Sequence, residues 1–158
     1  VRGKRRLTTG RHAAIDDVVT RLELAKVRIC QRCGRGRAEL LGADGASLVV
    51  PLDQARAREL ERPDDADDVP WLSTVVLALL AAGRRELREV VLDAAGHGLQ
   101  ALVTLGRDGK ADTDVLACTA QEGVGLAVRA KVPLYATAEA LATSAKKKPD
   151  AGGHETLH

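Results

Sequence analysis

Aromatic side chains are almost missing from this chain: one Trp, one Tyr and no Phe among 158 residues. Platforms that stack unpaired bases need exposed rings, so RNA-recognition sheets and OB-folds of that kind are excluded. The core must instead be built from Val, Leu and Ala. Long apolar runs are missing as well. The longest, Val75 to Ala82, is under half of the roughly 18 residues that span a bilayer, so no membrane partner is expected. The basic N-terminal stretch Val1 to Arg6 is followed by no apolar segment, and a signal peptide is not expected. Cysteine is scarce and odd in number, three in all, with two spaced as Cys30-x-x-Cys33. That is no secreted disulfide framework, and the expectation is a reduced, cytoplasmic protein. The formal net charge is only +2. Attraction to a polyanion therefore has to come from local patches.

What is present is globular in character. Apolar residues make up 45% and charged residues 29%, a balance that folds rather than stays disordered. The length suits one domain that needs neither metal nor disulfide to fold. Residues 1–14 carry Arg2, Lys4, Arg5, Arg6 and Arg11 and no acid, which reads as a flexible basic arm. Residues 15–145 read as the domain and residues 146–158 as a disordered tail. An acidic, proline-flanked linker at 61–70 divides the domain into halves at about 20–62 and 70–145.

The halves look alike. Leu41-Gly-Ala-Asp-Gly45 precedes the apolar run Leu48 to Pro51 and then Asp53 to Leu60. Leu105-Gly-Arg-Asp-Gly109 precedes Val115 to Cys118 and then Thr119 to Arg129. Asp-Gly between apolar runs marks a hairpin, since the turn needs positive φ and Gly supplies it. Asp53 and Thr119 are good helix N-caps. The reading is a duplicated hairpin-to-helix unit. Further strands are expected from Thr20 to Cys30, Glu89 to Asp93 and Leu99 to Leu105, with Gly96-His97-Gly98 turning between the last two. A helix with a broad apolar face is expected from Trp71 to Ala82, and a last helix after Thr137. Val132 to Tyr135 is expected to be an edge strand, because Pro133 has no N–H for a ladder. Gly123 and Gly125 weaken their helix unless a neighbouring element comes close. The fold class is α+β, with a largely antiparallel sheet and helices packed on it.

Several segments together resemble the bifunctional nuclease domain family. They are Pro70 to Gly83, the strand Glu89 to Asp93, the hairpin around Asp108-Gly109, and Asp114 to Tyr135 with its closing Val132-Pro-Leu-Tyr135. Order and spacing match over about 100 residues, from near Val49 to Leu141. The resemblance implies an internally duplicated α+β fold, a homo-oligomer, and metal-dependent cleavage of DNA or RNA, a phosphodiester hydrolase activity using Mg or Mn. Family members carry an Arg-Pro-Ser-Asp run where this chain has Thr119-Ala120-Gln121-Glu122. They carry a His-Asp pair where it has Ser73-Thr74. The remaining candidate metal carboxylates are Glu122, Asp93 and Asp114, since such hydrolysis needs acids to hold the cation that activates water. Whether the chain is an enzyme is left open. The alternative is a non-catalytic regulatory or assembly module of the same fold.

Each candidate also has a plain structural reading. Thr119 to Glu122 is a capping box, strand-end aspartates are often turn residues, and His97 sits alone in a turn. Cys30-Gln-Arg-Cys33-Gly34 has the spacing of a zinc knuckle, but a structural zinc takes four ligands. Cys118 and a histidine could complete the set, or two chains could each give two thiolates. A redox pair or two plain thiols are the other options. Arg28, Arg32, Arg35 and Arg37 crowd the same segment and could contact nucleic-acid phosphates.

Overall fold

The computed structural model describes residues 19–61, 71–96, 98–107 and 110–146. The basic arm, residues 62–70 of the acidic linker, His97, Asp108-Gly109 and residues 147–158 lie outside the described residues. In chain order the elements are β1 (Thr20–Ile29), β2 (Gly36–Gly42), β3 (Ser47–Leu52), α1 (Gln54–Glu61), α2 (Leu72–Ala82), β4 (Arg85–Ala95), β5 (Gly98–Arg107), β6 (Lys110–Thr119), α3 (Ala120–Ala130), β7 (Leu134–Ala136) and α4 (Ala138–Lys146). The fold is α+β, with one seven-stranded sheet ordered β3-β2-β1-β7-β4-β5-β6. Every neighbouring pair is antiparallel except β4 with β7.

Local chemistry explains the elements. The β2–β3 turn closes through Gly45, whose φ is +85°, a conformation that glycine adopts without steric cost. Asp44 supports it by accepting from the Ala46 amide at 3.0 Å. Leu48, Val50 and Leu52 are buried on β3 while Ser47, Val49 and Pro51 are exposed, the period-two pattern of a half-buried strand. Asp53 caps α1 by accepting from the Arg56 amide at 2.8 Å. Thr137 caps α4 by accepting from the Ala140 amide at 3.2 Å. α2 begins at Trp71 with no side-chain cap.

Each half is an antiparallel meander that feeds a helix: β1-β2-β3 then α1, and β4-β5-β6 then α3. The strand joining the two meanders is β7. This corrects the expectation of an edge strand at Val132 to Tyr135. β7 lies between β1 and β4, antiparallel to the first and parallel to the second. Pro133 is tolerated because the ladder begins one residue later. Its carbonyl accepts from the Val90 amide at 3.1 Å, so its missing N–H costs no ladder bond.

The core is one cluster that takes in Leu22, Leu40, Leu48, Val50, Leu92, Val103, Val124 and Ala140. α3 lies against β5, and a Cβ built on Gly123 would fall on the Ala101 methyl. That close approach is why glycine is held inside this helix. Some apolar side chains stay outside the core. Leu72 and Leu79 on α2 are 62% and 67% exposed, and Leu41, Val49, Val115 and Leu116 are exposed on strands. No helix among the described residues is long and apolar enough to cross a membrane.

Candidate functional site

The three candidate carboxylates occupy different surroundings. Glu122 sits in the first turn of α3. Its amide donates to Thr119 Oγ1 at 3.4 Å, and its Oε2 accepts from the Thr119 hydroxyl at 2.8 Å. This is one half of a capping box; the carboxylate meets the hydroxyl rather than reaching back to the Thr119 amide. Asp93 accepts from Thr137 Oγ1 at 2.9 Å and from Gln100 Nε2 at 3.5 Å. It thereby ties β4 to the cap of α4. Asp114 is exposed and paired with Arg85, whose guanidinium holds the carboxyl below its ordinary range.

Register sets Asp114 apart from Asp93. Asp93, Gln100 and Thr119 form one cross-strand row, so their side chains share a face. Asp114 pairs with Leu105, five residues from Thr119 along β6. At about 3.3 Å per residue that is roughly 17 Å away, and an odd count puts it on the other face. Among the described residues no group of three or more His, Cys, Asp and Glu could hold a metal ion. The acids present do not fit the divalent-cation centre implied by the resemblance, and no hydrolytic step is derived through one.

The segment in the Ser73 position is used differently. Ser73 Oγ donates to Glu59, and Arg56 pairs with the same carboxylate. Arg129 from α3 stands 3.9 Å from it. Glu59 is 3% exposed and Arg56 8%, so a buried polar node pins α1, α2 and α3 together. Sequence reading missed it, because Arg56 and Glu59 look like a solvated i, i+3 pair. One signal was present: Gly125, where a Cβ would sit 2.9 Å from Arg56 Cδ. Glycine there leaves room for the buried arginine. Gln121 was missed too. It accepts from the Asp53 amide at 2.8 Å and donates back to Asp53 Oδ2 at 3.0 Å, clamping the starts of α1 and α3.

The cysteine segment forms the tip of the β1–β2 hairpin. The Cys30 amide donates to the Arg35 carbonyl and the Gly34 amide to the Cys30 carbonyl, both at 2.8 Å. Gly34 has a φ of +71°. Cys30 and Cys33 are both exposed. The Cys33 side chain, then the backbone of Cys33 and Arg32, hold the Cys30 thiol below its ordinary value. Cys118 is half-buried on β6, and burial first, then Glu122, pushes its thiol up. It does not join the pair in a metal-binding group.

Arginines surround that tip. Arg28 and Arg37 face each other across β1 and β2, a like-charge pairing that is unfavourable alone. Glu39 offsets it by pairing with Arg28 and, at 3.6 Å, with Arg37. Arg32 and Arg35 are exposed and have no acidic partner among the described residues. A shallow depression of about 330 Å³ is lined by Arg28, Ile29, Cys30, Arg35, Gly36 and Arg37. A second, of about 170 Å³, lies between β1 and the end of α3, with Glu23 and Lys131 in its lining. Comparison with known proteins found no matching family and no matching curated protein.

Proposed function

We propose that the chain is a divergent relative of the bifunctional nuclease domain that binds nucleic acid through the tip of its β1–β2 hairpin. The observation that carries this reading is the pair Arg32 and Arg35, exposed beside the arginine-lined depression. Guanidinium groups match phosphate oxygens in a bidentate fork. With no aromatic platform, such contacts follow the backbone and are indifferent to sequence. The reading assigns no cleavage to Asp93, Asp114 and Glu122, because each already has a structural partner and they do not converge. It also takes β1-β2-β3-α1 and β4-β5-β6-α3 as copies of one unit, since strand order, pairing sense and the capping of the following helix agree.

The test is binding of labelled DNA and RNA across a salt series, with and without Mg or Mn. Two phosphate contacts, from Arg32 and Arg35, predict roughly a 12-fold loss of affinity to a duplex between 50 and 200 mM salt. Arg32→Glu with Arg35→Glu should abolish binding and leave the fold intact by circular dichroism. Binding unchanged in that variant would sink the reading. Metal-stimulated cleavage that Glu122→Gln abolishes would restore the catalytic alternative.

A further inference from the structure

We propose that Cys30 and Cys33 form half of a zinc site, completed by the same two cysteines of a second copy of this chain. The inference is independent of nucleic-acid binding. It starts from the shape of the tip. Four residues separate the paired positions Cys30 and Arg35, and within that loop the backbone turns both sulfurs together. The Gly34 amide bonds back to the Cys30 carbonyl, which folds the Arg32 and Cys33 backbone, with its N–H groups, around Cys30. A metal-bound thiolate needs such N–H donors to satisfy its remaining lone pairs. Gly34 takes the left-handed conformation that turns the chain back directly after Cys33.

The loop is also braced. A Cβ on Gly34 would lie 2.9 Å from Gln54 Cδ, and one on Gly36 would lie 2.7 Å from the Ala57 methyl. The start of α1 therefore supports the hairpin at its tip and its base, and the thiols are presented rather than left on a loose strand.

Structural zinc is four-coordinate and prefers thiolates. No third His, Cys, Asp or Glu joins the pair among the described residues, so two ligands must come from elsewhere. Charge selects a second copy. The segment 28–37 carries four arginines and no acid, and two bare tips of that kind repel. A zinc ion with four thiolates carries a net charge of −2. Arg32 and Arg35 from each copy would then surround an anion instead of facing each other. Binding displaces the thiol protons to solvent, with no change of oxidation state.

The experiment uses the full chain, purified with a non-chelating phosphine reductant and without added metal chelator. Zinc alone is the probe. Elemental analysis should give one zinc per two chains, and light scattering should show the mass fall by half after chelation. Cobalt(II) in place of zinc should give the visible spectrum of a four-thiolate site. Cys30→Ser should lose metal and the doubled mass, while Cys118→Ser keeps both. One zinc per chain on a monomer, no zinc uptake, or a mass unmoved by chelation would each overturn the proposal. So would a doubled mass that only a reductant removes, which would mean a disulfide. Cys30→Ser keeps all four arginines, and Arg32→Glu with Arg35→Glu keeps both thiols, so the failures of the two proposals are separable.

Discussion

Gly123→Ala gives the sharpest check on the packing of α3. In an isolated helix this change is favourable by about 1 kcal/mol, because alanine is the better helix former. Here the new methyl would fall on the Ala101 methyl and sit 3.2 Å from Val90 Cγ1. Methyl carbons rest at about 3.5 to 4 Å, so the helix must lift from the sheet by more than 1 Å. Lifting it loosens Ala120, Val124 and Ala127, all buried on α3. Overpacking of this kind costs about 1 to 3 kcal/mol, and the fixed strand behind Ala101 argues for the upper part. The expected net loss is about 2 kcal/mol, read as a lowered urea midpoint at unchanged slope. Ala101→Gly removes the opposing methyl. The double variant should recover at least about 1.5 kcal/mol relative to additivity. A Gly123→Ala protein as stable as the parent, or a strictly additive cycle, would refute the contact.

Two further outcomes follow from the buried groups and the thiols. Glu59→Ala should destabilise the domain by about 3 to 5 kcal/mol, because Arg56 and Arg129 would be left without their carboxylate; denaturant unfolding reads this, and a loss below 1 kcal/mol would mean the node is hydrated. In metal-free protein, Cys30 should alkylate faster than Cys118 near neutral pH, since the thiolate is the nucleophile and the two thiols are shifted in opposite directions. Mass spectrometry of a pH series checks the order. Because the Cys118 thiol is raised in the folded state, its contribution to stability should shrink as pH rises past the unfolded thiol value.

Much of the fold was legible because its signals are local. Asp53, Thr119 and Thr137 cap helices with their own side chains, and Asp44-Gly45 closes a turn within five residues. Gly123 announced a close neighbour without naming it. What was illegible depends on partners far along the chain. Pro133 looked like an edge marker, yet the ladder starts at Leu134 and the central position of β7 is decided by β1 and β4. Asp114 looked like a partner for Glu122 until strand register put it roughly 17 Å from Thr119 along β6. The Glu59 node was illegible because its three partners come from three helices, and the Gln121 clamp because Asp53 lies 68 residues away.

The position of β7 also sets an order of events. A growing chain delivers the residues of both meanders before residues 134–136 leave the ribosome. Until then the edges of β1 and β4 have only water to bond with, and they are the two edges that will later be joined. Three residues close that gap, across sequence separations of more than 100 residues on the β1 side. Contacts that distant form slowly, since the intervening chain must first be brought together. A chain that forms its meanders in the order of synthesis passes through an interval with two open sheet edges, the state most prone to pair with a neighbour. The shortest strand of the sheet ends that interval.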